Sequence, residues 1–193
     1  MYQKIIIFSA PSGSGKTTIL KELIQSDLQL AFSISATSRK QRTDETNGKD
    51  YYFLTHEDFK NKLVHGEFLE YEEVYEDNFY GTHKSEIDKK LAEGKNVVFD
   101  VERIGGINIK NYYKERVIGI FIMPPSVEVL YQLLEKRGTD SPKVIDNRLA
   151  KATYEMSFAP QFDVTIKNDD FYRAKREAVE VIKVFVEWEQ MEK

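Results

Sequence analysis

The run Ile5-Ile6-Ile7-Phe8 leads straight into Ser9-Ala10-Pro11-Ser12-Gly13-Ser14-Gly15-Lys16-Thr17, and Ile19, Leu20, Leu23 and Ile24 then follow at helical spacing. A buried strand, a glycine-rich loop and an amphipathic helix in that order make a phosphate-binding unit. Glycines let consecutive N–H groups turn inward toward phosphate oxygens, and the following helix adds the positive end of its dipole. In the pattern G-x-x-x-x-G-K-[ST], Lys16 reaches the β and γ phosphates and the Thr17 hydroxyl is a Mg²⁺ ligand. Gly13, Gly15, Lys16 and Thr17 are present; Ala10 stands at the first glycine and needs a negative φ there. The plain alternative is a Ser/Gly-rich turn that happens to end in Lys-Thr, and the flanking strand and helix weigh against it.

The rest of the chain keeps the same rhythm. Asn96 to Phe99 reads as a second buried strand ending at Asp100, Val117 to Met123 as a third stopped by Pro124-Pro125, and Val164 to Ile166 as a fourth. Ser126 is a good cap for a helix with Val129, Leu130, Leu133 and Leu134 on one face. Ala174 to Trp188 predicts a closing helix with Ala178, Val181, Ile182, Phe185 and Trp188 turned inward, and Tyr112-Tyr113 read as packing. Continuous apolar strands alternating with helices imply a parallel sheet covered on both faces. Two stretches interrupt the rhythm. Phe32 to Tyr80, with strand patterns at Tyr51 to Leu54 and Glu67 to Val74, suits a small mixed α/β insertion, and Arg137 to Pro160 suits a turn followed by a polar, basic helix. An acid at the end of an apolar strand is the second metal-side element of a phosphate-loop protein, so Asp100 is a candidate Mg²⁺ ligand. Without the loop it would be an ordinary strand-end acid.

Composition narrows the partners. The chain has 193 residues, 28 Lys plus Arg against 32 Asp plus Glu, and no cysteine. Mild net acidity argues against a dedicated nucleic-acid binder. The lack of cysteine removes disulfides, thiolate metal sites and a Cys nucleophile, and is compatible with a reducing compartment. The apolar runs are too short to span a bilayer, and the N-terminus lacks the long apolar region of a secretory signal. These features lead us to expect a cytoplasmic protein with Met1 as its genuine start and no membrane partner, and they leave the oligomeric state open.

The first inserted stretch carries the candidate second phosphate site. Ser33 to Arg42 places Arg39 and Arg42 three residues apart, and arginine grips phosphate oxygens with a planar fork. Tyr51 and Tyr80 can add hydroxyl donors. Glu70 follows Phe68-Leu69, and its acceptor pair suits guanine, which offers two adjacent donors at N1–H and the exocyclic amine; Ser35 and Thr82 can donate to O6. Each has a plain alternative. The arginines suit a solvated turn, the tyrosines suit packing, and Glu70 lies in an acidic run with Glu67, Glu72 and Glu73 that suits a solvent face.

Taken together, Ser9 to Thr18, Ser33 to Arg42, Asn47 to Phe53, Glu67 to Glu70, Phe79 to Thr82, Asp100-Val101-Glu102, Pro124 to Ser126, Lys136 to Thr139, Asn147 to Leu149 and Val164 to Asp170 resemble the guanylate kinase family, in family order over nearly the whole chain. The resemblance implies an α/β fold in one domain, residues 1–193. Its three-layer phosphate-loop core with a parallel sheet would span 1–32, 84–125 and 158–193. A mixed α/β GMP-binding lobe would span 33–83, and a helical lid 126–157. It implies transfer of the γ-phosphoryl of ATP to GMP, with Mg²⁺, GMP and ATP as partners. Carried over by position, Pro11, Ser12, Gly13, Ser14, Gly15, Lys16, Thr17, Thr18 and Asn168 would hold ATP, Asn168 at the adenine. Ser35, Arg39, Arg42, Tyr51, Glu70, Tyr80, Thr82 and Glu102 would hold GMP. Thr17 and Asp100 would hold the metal. Lys16, Arg42, Arg137 and Arg148 would surround the moving phosphoryl group. The chain departs from the family at Ala10, and at Arg103-Ile104-Gly105, where a Gln usually precedes the Gly. Two other readings differ in class: a non-catalytic guanylate-kinase-like module that binds protein partners, and a phosphate-loop kinase acting on another nucleotide or a phosphorylated sugar. An intact Gly15-Lys16-Thr17 disfavours the first, and a base-reading Glu70 disfavours the second.

Overall fold

The computed structural model describes residues 3–11, 13–75, 77–101, 103–137 and 142–188, with backbone alone for 74, 75, 103, 104, 133, 137 and 142–144. Ser12, Glu102, the side chain of Arg137 and the turn 138–141 therefore lie outside the described residues.

Five strands form a parallel sheet in the order β2 (Leu30–Phe32), β7 (Asn96–Asp100), β1 (Ile5–Ser9), β8 (Val117–Met123), β9 (Val164–Lys167). All five residues of the central β1 are buried. Ile6 and Phe8 pack into one core with α1 (Lys16–Ile24) and α7 (Phe171–Glu187). Ile5 and Ile7 pack into the opposite core with α3 (Lys84–Ala92) and α4 (Arg103–Tyr113). Both faces of β1 need apolar residues, which is why its sequence reads as a continuous run rather than an alternation.

A second, four-stranded sheet runs β4 (Tyr52–Phe53), β3 (Ala36–Thr37), β6 (Asn78–His83), β5 (Phe68–Tyr75). Its strands are antiparallel except for the β3–β4 pair. It has its own apolar cluster, in which Phe59 of α2 (His56–Val64) stacks on Phe68 at 4.3 Å and on Phe79 at 5.5 Å between ring centres. A further cluster joins α5 (Val127–Arg137) to α6 (Pro142–Met156) through Leu130, Leu134, Ile145 and Ala152. Ser126 caps α5 as its sequence predicts, its hydroxyl accepting from the Val129 N–H at 3.2 Å.

Two expectations about packing fail. Trp188 is 61% exposed and Tyr112 56% exposed. The buried stripe of α7 is Ala174, Ala178 and Ile182. Trp188 lies six residues past Ile182, about 240° around a helix with ~3.6 residues per turn, and so points away from that stripe. Among the described residues, no helix is long and apolar enough to cross a membrane.

Candidate functional site

The carboxyl ends of β1, β7, β8 and β9 meet on one edge of the sheet, at the point where the strand order reverses on either side of β1. Open α/β sheets bind ligands there. Between β1 and α1 the chain turns through Gly13 at φ +88° and Gly15 at φ +84°, and the Ser14 N–H donates to the Pro11 carbonyl at 3.2 Å. Gly15 caps α1, with the N–H groups of Thr18 and Ile19 returning to its carbonyl at 3.1 and 3.2 Å. The first N–H groups of a helix have no partner within it, so they are offered to a ligand. The only non-glycine residues at positive φ among those described are Gln29, Asp77 and Lys114, so Ala10 has a backbone conformation that its Cβ tolerates.

This loop borders a cleft of about 490 Å³ whose other walls include Pro124, Pro125, Lys136 and Asn168. Thr17 and Thr18 are exposed on the first turn of α1. The Asn168 amide donates to the Ser14 carbonyl at 2.7 Å, so the residue expected at adenine touches the loop backbone.

A second cleft, of about 200 Å³, is lined by Ser33, Ser35, Asp50, Tyr51, Asp100 and Val101 among others. Asp100 connects the two clefts: it borders the second and forms an ion pair with Lys16 of the phosphate loop.

Above the second cleft the small sheet arranges its polar groups in pairs. Glu70 on β5 stands directly opposite Thr82 on β6, and the buried Thr82 hydroxyl donates to its Oε1 at 2.7 Å. Its Oε2 faces α4 so closely that a Cβ at Gly105 would lie 3.0 Å from it. Burial raises the Glu70 carboxyl above the usual carboxylate range; the Thr82 hydrogen bond opposes this and the Glu72 charge adds to it. The acidic run is thus divided: Glu67, Glu72 and Glu73 are exposed while Glu70 is turned inward.

Arg39 is held from three sides. Its Nη1 and Nη2 donate to the two Glu45 oxygens at 2.7 and 2.5 Å, and its Nε donates to the Tyr80 hydroxyl at 3.1 Å. Its guanidinium lies 5.0 Å from the centre of the Tyr51 ring. Glu45 also accepts from the Arg42 N–H at 2.9 Å. The Arg39 guanidinium, with that N–H second, holds the Glu45 carboxyl down at about 2. Sequence reasoning missed Glu45, because a carboxylate among charged loop residues looks like any solvated acid until the loop closes on itself. It also missed Asp50, Ser33 and Gly105. The side chain of Arg42 is exposed, and Arg148 is half-buried on α6.

The guanylate kinase family profile matches residues 2–185. The chain belongs to the guanylate kinase family. A guanylate kinase of Bacteroides thetaiotaomicron is 58% identical over 186 residues, covering 96% of this chain and 91% of that protein. One from Porphyromonas gingivalis is 48% identical, covering 95% and 98%. The crystal structure of guanylate kinase from Anaplasma phagocytophilum overlays with a TM-score of 0.71 at 28% identity, covering 96% of this chain and 87% of that one. Family membership makes the chain a nucleoside monophosphate kinase. Gly105, which follows Ile104, is the residue packed against the Glu70 carboxylate.

Proposed function

We propose that this chain transfers the γ-phosphoryl group of ATP to GMP, releasing ADP and GDP, with the phosphate-loop cleft as the donor site and the second cleft as the acceptor site. The observation that carries this reading is Asp100, which pairs with Lys16 of the loop and also lines the second cleft. The reading divides the chain into a core, a GMP lobe at 33–83 and a lid at 126–157 that close on one another.

In the acceptor site, Glu70 accepts the N1–H and exocyclic amine of guanine, with Ser35, Thr82 and Glu102 beside the base. Arg39, Arg42, Tyr51 and Tyr80 hold the GMP phosphate. That phosphate is already an anion, so an oxygen of it attacks the γ-phosphorus without a strong general base. The bond to the β,γ-bridging oxygen breaks as the new P–O bond forms, and ADP carries away the charge. The work left to the protein is in-line positioning and neutralisation by Lys16, Arg42, Arg137 and Arg148. Pro11 to Thr18 cradle the triphosphate. Closure of the lobes excludes water that would otherwise take the phosphoryl group.

The donor set suits Mg²⁺: a threonine hydroxyl and one carboxylate are hard oxygen ligands, and Mg²⁺ is normally held by one or two such groups plus waters and substrate phosphates. Thr17 and Asp100 would hold it, and it would supply charge neutralisation at the β and γ phosphates. The Asp100 carboxylate already faces the loop, where it meets the Lys16 ammonium.

The test is ADP release from Mg·ATP with GMP, AMP, CMP or UMP as acceptor. Turnover with GMP alone is expected. Turnover with another acceptor overturns the account of the second cleft. A folded sample that binds GMP and turns over nothing favours the protein-binding module.

A further inference from the structure

We infer that Asn168 is a positioning residue for the phosphate loop, acting through the Ser14 carbonyl whatever base the donor nucleotide carries. The inference rests on the donor-site reading above.

The peptide unit is planar. In a trans peptide the C=O and the following N–H point in opposite directions. The Asn168 amide donates to the Ser14 carbonyl at 2.7 Å and so holds that oxygen toward the β9 side of the loop. The Gly15 N–H belongs to the same peptide unit and is thereby aimed the other way. A carbonyl oxygen only accepts, so the group facing Ser14 must be the Asn168 NH₂ and not its oxygen. Asn168 is itself fixed, since its own N–H donates to the Met123 carbonyl at the end of β8 at 2.8 Å. A continuous set of bonds therefore runs from the end of β8 through Asn168 to the loop peptide.

The fit allows no slack. A Cβ added to Gly15 would lie 2.5 Å from the Asn168 Nδ2, and Gly15 has a φ of +84°. Glycine at this position serves two needs, the left-handed turn and the close approach of the asparagine. Reading adenine would engage the face of Asn168 turned away from Ser14, so a base contact and the loop contact have separable consequences.

Asn168→Ala separates them when two probes are compared by calorimetry: Mg·ATP, and inorganic tripolyphosphate, which has the phosphates and no base. Loss of one hydrogen bond that leaves a carbonyl unpartnered corresponds to about tenfold weaker binding. A loss of that order for both probes, with GMP affinity unchanged, is the expected result. Loss for ATP alone shows that Asn168 acts on the base and overturns the inference. No loss for either, or an equal loss for GMP, overturns it as well. If the wild-type protein binds neither probe, the donor-site reading itself fails and the inference falls with it. A second readout avoids affinity altogether. The Gly15 amide resonance should move on addition of tripolyphosphate in the wild type and move markedly less in Asn168→Ala; equal movement in both would contradict the inference.

Discussion

Glu70→Gln keeps the size of the buried side chain and replaces one acceptor oxygen by a donor. Thr82 continues to find an acceptor if the amide oxygen takes the Oε1 position, now 2.7 Å from its hydroxyl. The NH₂ then takes the position of Oε2, packed against Gly105, where a guanine donor would have been received. One hydrogen bond is lost and two donors face each other in a buried place, a penalty of about 1–3 kcal/mol, or roughly 5- to 150-fold in affinity. The GMP KM should rise by that factor while the AMP KM does not, so the GMP-to-AMP preference falls by the same amount. The free protein should respond in the opposite sense. Burial raises the Glu70 carboxyl above its unfolded value. The folded state therefore holds this proton more tightly than the unfolded one, and the carboxylate penalises folding increasingly as pH rises from the ordinary carboxylate range through the folded value. At pH 7 the Gln variant should melt above the wild type, and the gap should shrink on acidification. Steady-state kinetics with both acceptors and paired melts from pH 4 to 8 measure both effects. An unchanged GMP-to-AMP ratio refutes Glu70 as the base reader, and a Gln variant that melts lower at every pH refutes the burial argument.

Three further perturbations test other parts of the site. Lys16→Ala should abolish turnover and leave GMP binding largely intact by calorimetry; lost GMP binding would contradict its placement on the donor side. Phe59→Ala empties the centre of the small sheet's cluster, at a cost of about 3–5 kcal/mol for a fully buried phenylalanine. GMP binding should fall far more than ATP binding, and amide exchange should quicken in β3 to β6 before β1, whereas uniform loosening would argue against a separately packed lobe. Glu45→Gln removes a carboxyl whose folded value is depressed to about 2, so the stabilisation it supplies is complete above about 4.5 and is lost as pH falls toward 2. The wild type's advantage over this variant in thermal melts should narrow below pH 4.5, and a constant gap from pH 7 to 3 would be the contrary result.

What the sequence revealed and what it hid follow from distance along the chain and from element length. The strands β1, β7 and β8 were legible because a sheet covered on both faces demands unbroken apolar runs, whereas the edge strand β9 alternates, with Ile166 buried and Thr165 and Lys167 exposed. By contrast, β3 is two residues long, too short for any period to show. Resemblance to the family raised Glu70 out of its acidic run. Spacing alone could not, because its inward turn depends on Thr82 across the strand pair and Gly105 from another helix.

The two arginine-side and loop-side restraints show the same rule at its limits. Arg39 and Glu45 are six residues apart, so a reader who asks which nearby acid could fill the guanidinium fork has few candidates to try. Asn168 and Ser14 are 154 residues apart and meet because β1, β8 and β9 lie side by side in the sheet. The parallel topology brings the end of β9 to the loop after β1, and no local pattern encodes that meeting. The phosphate loop can therefore be recognised from nine consecutive residues, while the group that orients one of its peptides becomes visible only after the strand order is known.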